Sequence, residues 1–143
     1  MGRWTSKAAK AAGIKPIIGC EVYVAPRTRL DKVHELDDHP YHLILLCRNE
    51  VGYRNLSALV SRGFTEGFYS KPRVDWELLE RYHEGLIALS ACLAGQVPRL
   101  LLGGNYEGAK APALQMRDLF GADSYYLEIQ DHSIPQQKTV LQG

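Results

Sequence analysis

The 143-residue chain predicts an α/β fold with a mainly parallel sheet. Two observations carry this. Four short apolar runs bounded by turn residues read as buried strands, at 17–25, 42–47, 86–92 and 125–130. Segments with helical spacing fall between most of them, giving the order α-β-β-α-α-β-α-α-β, and parallel neighbours need helical crossovers. The two middle runs are nearly continuous, which suits strands covered on both faces.

Each element has a local reason. Residues 5–12 read as the tail of a helix ended by Gly13, with Pro16 beyond it. Residues 49–61 place Val51, Leu56, Leu59 and Val60 on one side of a helix. Residues 75–83 group Trp76, Leu79 and Tyr82, with Asp75 as N-cap and Gly85 as stop. Residues 97–102 form a short helix opened by Pro98. Residues 105–120 form a longer one, capped by Asn105 and ended by Gly121, in which Pro112 is expected to kink the helix or move its start later. The long connection 26–41 carries charges of both signs and two His, and reads as a mobile surface loop.

Composition narrows the function. Seventeen basic against sixteen acidic residues give a net charge of +1, without the basic excess of a free-standing nucleic-acid binder. With 45% hydrophobic and 23% charged residues, the chain is too apolar for a disordered segment. Three Cys without CxxC spacing fit a reducing cytoplasm better than a disulfide scaffold. No apolar stretch approaches the roughly 20 residues of a membrane span. Gly2 and Ser6 match a myristoylation pattern that is short and common by chance.

Candidate chemistry is sought at strand tips, where parallel α/β folds carry their sites. Glu21 is a carboxylate inside an apolar run, read either as a metal ligand or as an exposed or Arg27- or Arg29-paired edge residue. His42 opens its strand, as a ligand or a structural imidazole. Cys92 follows the third run just before a helix, as a thiolate or soft-metal ligand or a small buried residue. Asp131 and His132 follow the fourth run, but adjacent residues of a strand point to opposite faces. In 63–73, Phe64, Phe68 and Tyr69 alternate with Lys71 and Arg73; this reads as a nucleic-acid surface or as a loop whose rings pack while its cations stay solvated. GxGxxG, Walker A, HExxH and GxSxG motifs are absent.

Read in order, AAGIKPIIGCEVYVAPR, YHLILLCRNEVGYRNLSALVSRGFTEGFYSKPRVDWELLERYHEGLIALSACLAGQVPRLLLGG and YYLEIQDHSIPQQKTV closely resemble the polymerase-and-histidinol-phosphatase (PHP) domain of bacterial DNA polymerase III alpha subunits, over about residues 7–140. The resemblance implies a distorted (β/α)7 barrel near the N-terminus of a replicative polymerase. It implies a cleft for divalent metal ions (Zn, Mn or Mg), active in phosphoester or 3′–5′ exonuclease chemistry in some relatives and degenerate in others. Glu21, His42 and Cys92 match metal-ligand positions of that family, and His132 matches a position with no ligand role attached. The family's opening HxH strand, its following Asp-His motif, its later Asp-x-His motif and the polymerase palm have no counterpart here. The resulting expectation is that residues 1–143 are an internal piece of one PHP domain, an incomplete barrel that is catalytically silent alone. The intact cytoplasmic polymerase would work with DNA, a proofreading exonuclease subunit and a sliding clamp. Two other expectations stay open: a small stand-alone PHP-type phosphoesterase, and a non-enzymatic module that docks the proofreading subunit.

Overall fold

A computed structural model describes residues 2–143, with side chains from Ser6 onward. Met1, which starts the myristoylation-like pattern, lies outside the described residues. The elements run α1 (Gly2–Ala11), β1 (Gly19–Val24), β2 (Tyr41–Cys47), α2 (Glu50–Thr65), β3 (Phe68–Tyr69), β4 (Lys71–Val74), α3 (Trp76–Tyr82), β5 (Leu86–Leu89), α4 (Gln96–Leu102), α5 (Tyr106–Phe120), β6 (Tyr125–Tyr126) and α6 (Pro135–Gln142). The six strands form one open sheet in the order β3-β4-β1-β2-β5-β6.

The α/β class is present, but the sheet is mixed. The β1–β4 and β5–β6 ladders are parallel. The β1–β2, β2–β5 and β3–β4 ladders are antiparallel. Strands β1, β4, β5 and β6 therefore run one way, and β2 runs against both of its neighbours. The long connection from β1 returns the chain beside β1 without a crossover helix, so antiparallel pairing is the available geometry.

One sheet face is covered. Val22, Val24, Leu43, Leu45, Val74, Leu86 and Ala88 meet Leu56 and Leu59 of α2, Leu78 and Leu79 of α3, and Met116 and Phe120 of α5. Leu45, Leu59 and Leu79 have no exposed surface. Each such side chain contributes about 1.5–3 kcal/mol of burial. The opposite face carries Glu21, Tyr23, His42, Ile44, Leu46, Ile87 and Leu89, all at least partly exposed. The expectation of strands covered on both faces is thus corrected: among the described residues, the continuous apolar runs have one packed face and one half-bare face.

The caps follow their residue types. Asn49, Asp75 and Asn105 accept from the backbone N–H groups of Gly52, Leu78 and Gly108. Helix α2 docks against the turn before β5 so closely that a Cβ on Gly52 would sit 1.9 Å from the Gly85 carbonyl oxygen. Val51 points outward at 45% exposure, because the buried stripe of α2 is Gly52, Leu56, Leu59 and Gly63. Helix α5 starts directly after Asn105, with buried Pro112 inside it, so Pro112 does not move the start. Helix α6 was not legible as a helix in the sequence pattern. Strand β6 spans two residues and ends well before Gln130.

The connection 26–40 is not a loose loop. Asp37 is fully buried, and its carboxylate accepts from the Arg27 guanidinium and from the Val33 backbone N–H. Arg29, also buried, donates to Asp75, Glu66 and Glu77. Although burial opposes its charge, the hydrogen bonds it donates to Glu77, Glu66 and Asp75 raise its pKa. Arg73 has no exposed surface: its Nε donates to the Gly67 carbonyl at 3.1 Å, and its Nη2 donates to the Arg29 and Asp31 carbonyls at 3.0 and 2.7 Å. The 63–73 segment, expected to be a loop whose rings pack while its cations stay solvated, is therefore corrected to the end of α2 plus the β3–β4 hairpin. Arg73 is interior, Lys71 lies 4.5 Å from the Tyr23 ring centroid, and Phe64 and Phe68 remain exposed.

Replacing Arg73 by Met removes the side-chain donors to the carbonyl oxygens of Arg29 and Asp31, while the Gly67 carbonyl keeps the backbone N–H of residue 73. Each buried unsatisfied acceptor costs about 1–3 kcal/mol, so urea unfolding is expected to lose about 2 kcal/mol or more. A loss within about 0.5 kcal/mol contradicts this role.

The connection also sets an acid limit. The hydrogen bond from Arg27 holds the Asp37 carboxyl below its ordinary range, and that from Arg29 does the same for Glu66. Folded-state values below the unfolded ones stabilise the protein above the ordinary carboxylate range, and that stability is lost as pH falls through the folded values. Urea midpoints are expected to fall as pH is lowered from about 5 to about 2, with the Val33 amide losing protection relative to its intrinsic exchange rate; an unchanged midpoint contradicts this.

Candidate metal centre

Reversal of β2 builds the site. Tyr23 lies opposite His42 in the β1–β2 register, and Glu21 opposite Ile44, so Glu21 and His42 are diagonal neighbours on one face. His42 opens β2, yet an antiparallel β2 brings that end beside the C-terminal ends of β1 and β5. The His42 N–H donates to the Ala94 carbonyl at 3.1 Å, which fixes the strand start against the turn after β5. That turn carries Cys92.

The turn owes its shape to two residues. Buried Ala91 has φ of 63°, the left-handed region. Gly95 packs so tightly that a Cβ there would lie 2.1 Å from the Ser90 carbonyl oxygen. Together they turn the chain sharply between β5 and α4 and leave Cys92 beside His42.

His42 Nδ1 is 3.3 Å from Glu21 Oε1 and 3.5 Å from Cys92 Sγ. One donor atom from each of Glu21, His42 and Cys92 lies within 4.8 Å of the other two. Tyr23 meets the imidazole edge-on with ring centroids 5.0 Å apart, so the ring is braced from the side. The Glu21 side chain is 40% exposed and that of His42 21%, so the cluster is open to solvent on the half-bare face.

The arginine pairing considered for Glu21 is absent. Arg27 pairs with Asp37, and Arg29 with Glu66, Asp75 and Glu77, so Glu21 has neither as its partner. Cys92 is not simply a small core residue, since it is half-buried beside an imidazole. Asp131 and His132 do not join the cluster. They lie past β6 in the approach to α6, where Asp131 accepts from the Ser133 N–H and His132 is held by Gln137. Sequence reading missed the bracing Tyr23 and the turn-forming Ala91. Alternation in β1 places Tyr23 on the face of Glu21, but nothing in the sequence announces a positive φ at Ala91.

A carboxylate oxygen, an imidazole nitrogen and a thiol sulfur suit a borderline-soft cation. Zn2+ takes this N/O/S mixture, commonly with three protein ligands and one open position. Fold and cluster define an α/β domain with a candidate metal centre on the open face of its sheet. The family model for the PHP domain matches residues 5–132, and the chain belongs to the PHP domain family. It is 53% identical over 135 residues to the DNA polymerase III subunit alpha of Treponema pallidum, covering 94% of this chain and 12% of that protein. It is 50% identical to the proteins of the same name from Borreliella burgdorferi over 135 residues and Deinococcus radiodurans over 129. The chain spans 10–12% of the length of these curated relatives.

The turn geometry yields a paired prediction. Gly95→Ala is expected to destabilise the fold and shift the NMR resonances of His42, because its Cβ meets the Ser90 carbonyl. Ala91→Gly relieves the left-handed strain and is expected to be neutral or stabilising by up to about 1 kcal/mol. Equal stability for the two variants contradicts the account of the turn.

Proposed function

We propose that this chain is a metal-binding piece of the PHP domain of a bacterial DNA polymerase III alpha subunit. The single observation that carries the reading is the convergence of Glu21, His42 and Cys92 from three separate elements onto one point. The identity to alpha subunits of which the chain spans about a tenth supports the view that it belongs to a longer polypeptide. The half-bare face with Ile44, Leu46, Ile87 and Leu89 fits the wall of a larger distorted (β/α)7 barrel, with further strands and ligands supplied by the rest of that polypeptide.

In this reading Glu21, His42 and Cys92 hold a divalent ion. A bound ion at such a site polarises a phosphoryl oxygen and lowers the pKa of a water. Glu21 supplies charge, His42 supplies Nδ1 in an orientation set by Tyr23, and Cys92 selects Zn2+ over the oxygen-preferring Mg2+. DNA-templated synthesis belongs to a palm domain elsewhere in the parent, which acts in the cytoplasm with DNA, a proofreading exonuclease and a sliding clamp. The 143 residues are expected to be silent as a polymerase. Among the described residues, no helix is long and apolar enough to cross a membrane.

Calorimetric titration of the chain with Zn2+ tests the site. One ion per chain is expected, with His42→Ala and Cys92→Ser each losing more affinity than the roughly 10-fold that follows loss of an outer-shell partner. Binding unaltered in both variants, or template-dependent nucleotide incorporation by this chain, overturns the reading.

A further inference from the structure

The metal cluster has a cation for a neighbour. Lys71 stands two residues before Arg73 on β4, and Arg73 is registered with Tyr23 in the parallel β1–β4 ladder. Side chains of a strand alternate between faces, so Lys71 shares the sheet face of Tyr23 and Glu21. Its Nζ lies 4.5 Å from the Tyr23 ring centroid, and the same ring meets the His42 imidazole with centroids 5.0 Å apart. A single aromatic ring therefore separates the ammonium from the cluster.

The arginines of this region are committed elsewhere. Arg27 pairs with Asp37, and Arg29 with Glu66, Asp75 and Glu77. Arg73 donates to backbone carbonyls of Gly67, Arg29 and Asp31, and Arg99 to those of His39 and Pro40. Lys71 is exposed and makes no ion pair among the described residues; Glu21 pairs with His42 instead. A cation over an exposed ring is weakly held, and the lysine stem is long and flexible, so the ammonium is free to turn toward an anion.

Charge balance says what that anion is. The Glu21 carboxylate and a Cys92 thiolate cancel the two charges of a divalent ion, and His42 is neutral as a ligand. The occupied centre is then formally neutral, whereas a phosphate monoester carries close to two negative charges. Resting on the metal-site reading above, we propose that Lys71 is the phosphate-holding residue of this centre, and that it favours a dianionic terminal phosphate. Its ammonium supplies the positive charge that the cluster lacks. A phosphate diester, with one negative charge, gains less from the same point charge.

The full chain, loaded with one equivalent of Zn2+ and freed of excess ion, is titrated by NMR with methyl phosphate and, separately, with dimethyl phosphate. At about pH 7.5 the monoester is mainly a dianion. Saturable binding of methyl phosphate is expected, at least about tenfold tighter than that of dimethyl phosphate. The Lys71 Hε resonances, which lie beside the Tyr23 ring, are expected to move as the ammonium leaves it. Lys71→Met is expected to weaken methyl phosphate binding at least about tenfold while still taking one Zn2+, and Lys71→Arg to recover most of that loss. Lys110→Met, which removes an exposed cation from α5, is expected to leave it unchanged. Equal affinity for the two esters, an affinity unaltered in Lys71→Met, an equal loss in Lys110→Met, stationary Hε resonances or no saturable binding would each overturn this proposal and leave the metal reading standing. Failure of the natural chain to take up Zn2+ overturns both.

Discussion

The guanidinium of Arg73 is a full positive charge with no contact with water, surrounded by backbone carbonyl oxygens rather than by a matching carboxylate. Those oxygens belong to Gly67 at the end of α2 and to Arg29 and Asp31 in the connection between β1 and β2. One side chain on β4 therefore fixes two distant stretches of backbone. Arg29, whose carbonyl Arg73 grips, reaches on with its own side chain to Asp75, the N-cap of α3. The two arginines and Asp75 act as one unit, since removing any member leaves buried polar groups without partners. Strands β1 and β2 carry Glu21 and His42, and this unit fixes the chain between them.

The direction of β2 then decides whether a site exists. A β2 parallel to β1 would carry His42 to the far end of the sheet, away from Cys92. With β2 reversed, a residue at a strand's start joins one inside a strand and one beyond a strand's end. The donors are separated by up to 71 positions in sequence, yet sit in adjacent elements of the order β1-β2-β5. The turn at Ala91 and Gly95 supplies the remaining precision by setting Cys92 against His42 Nδ1.

The helices other than α6, their N-caps and the strands β1, β2, β5 and β6 were legible, because Asn49, Asp75 and Asn105 have specific capping chemistry and the apolar runs are bounded by turn residues. Strand direction was not. A run such as Leu43–Ile44–Leu45–Leu46 is equally apolar read either way, and the same run does not reveal that one of its faces is half-bare. The 26–40 connection looked loose because paired and solvated charges have the same composition; only the fold shows Asp37 and Arg29 buried and paired. Arg73 misled for the same reason, since a cation beside aromatic residues reads as exposed. The donor set itself came from resemblance to a family and not from spacing, because positions 21, 42 and 92 have no local pattern in common.

The cluster's chemistry makes one demand that separates it from a chance meeting of polar side chains: the metal must take sulfur together with nitrogen or oxygen. X-ray absorption at the zinc edge of the metal-loaded chain reads this most directly. One sulfur at about 2.3 Å is expected, with the remaining nitrogen and oxygen ligands at about 2.0–2.2 Å. A shell of nitrogen and oxygen alone, with no sulfur, contradicts it.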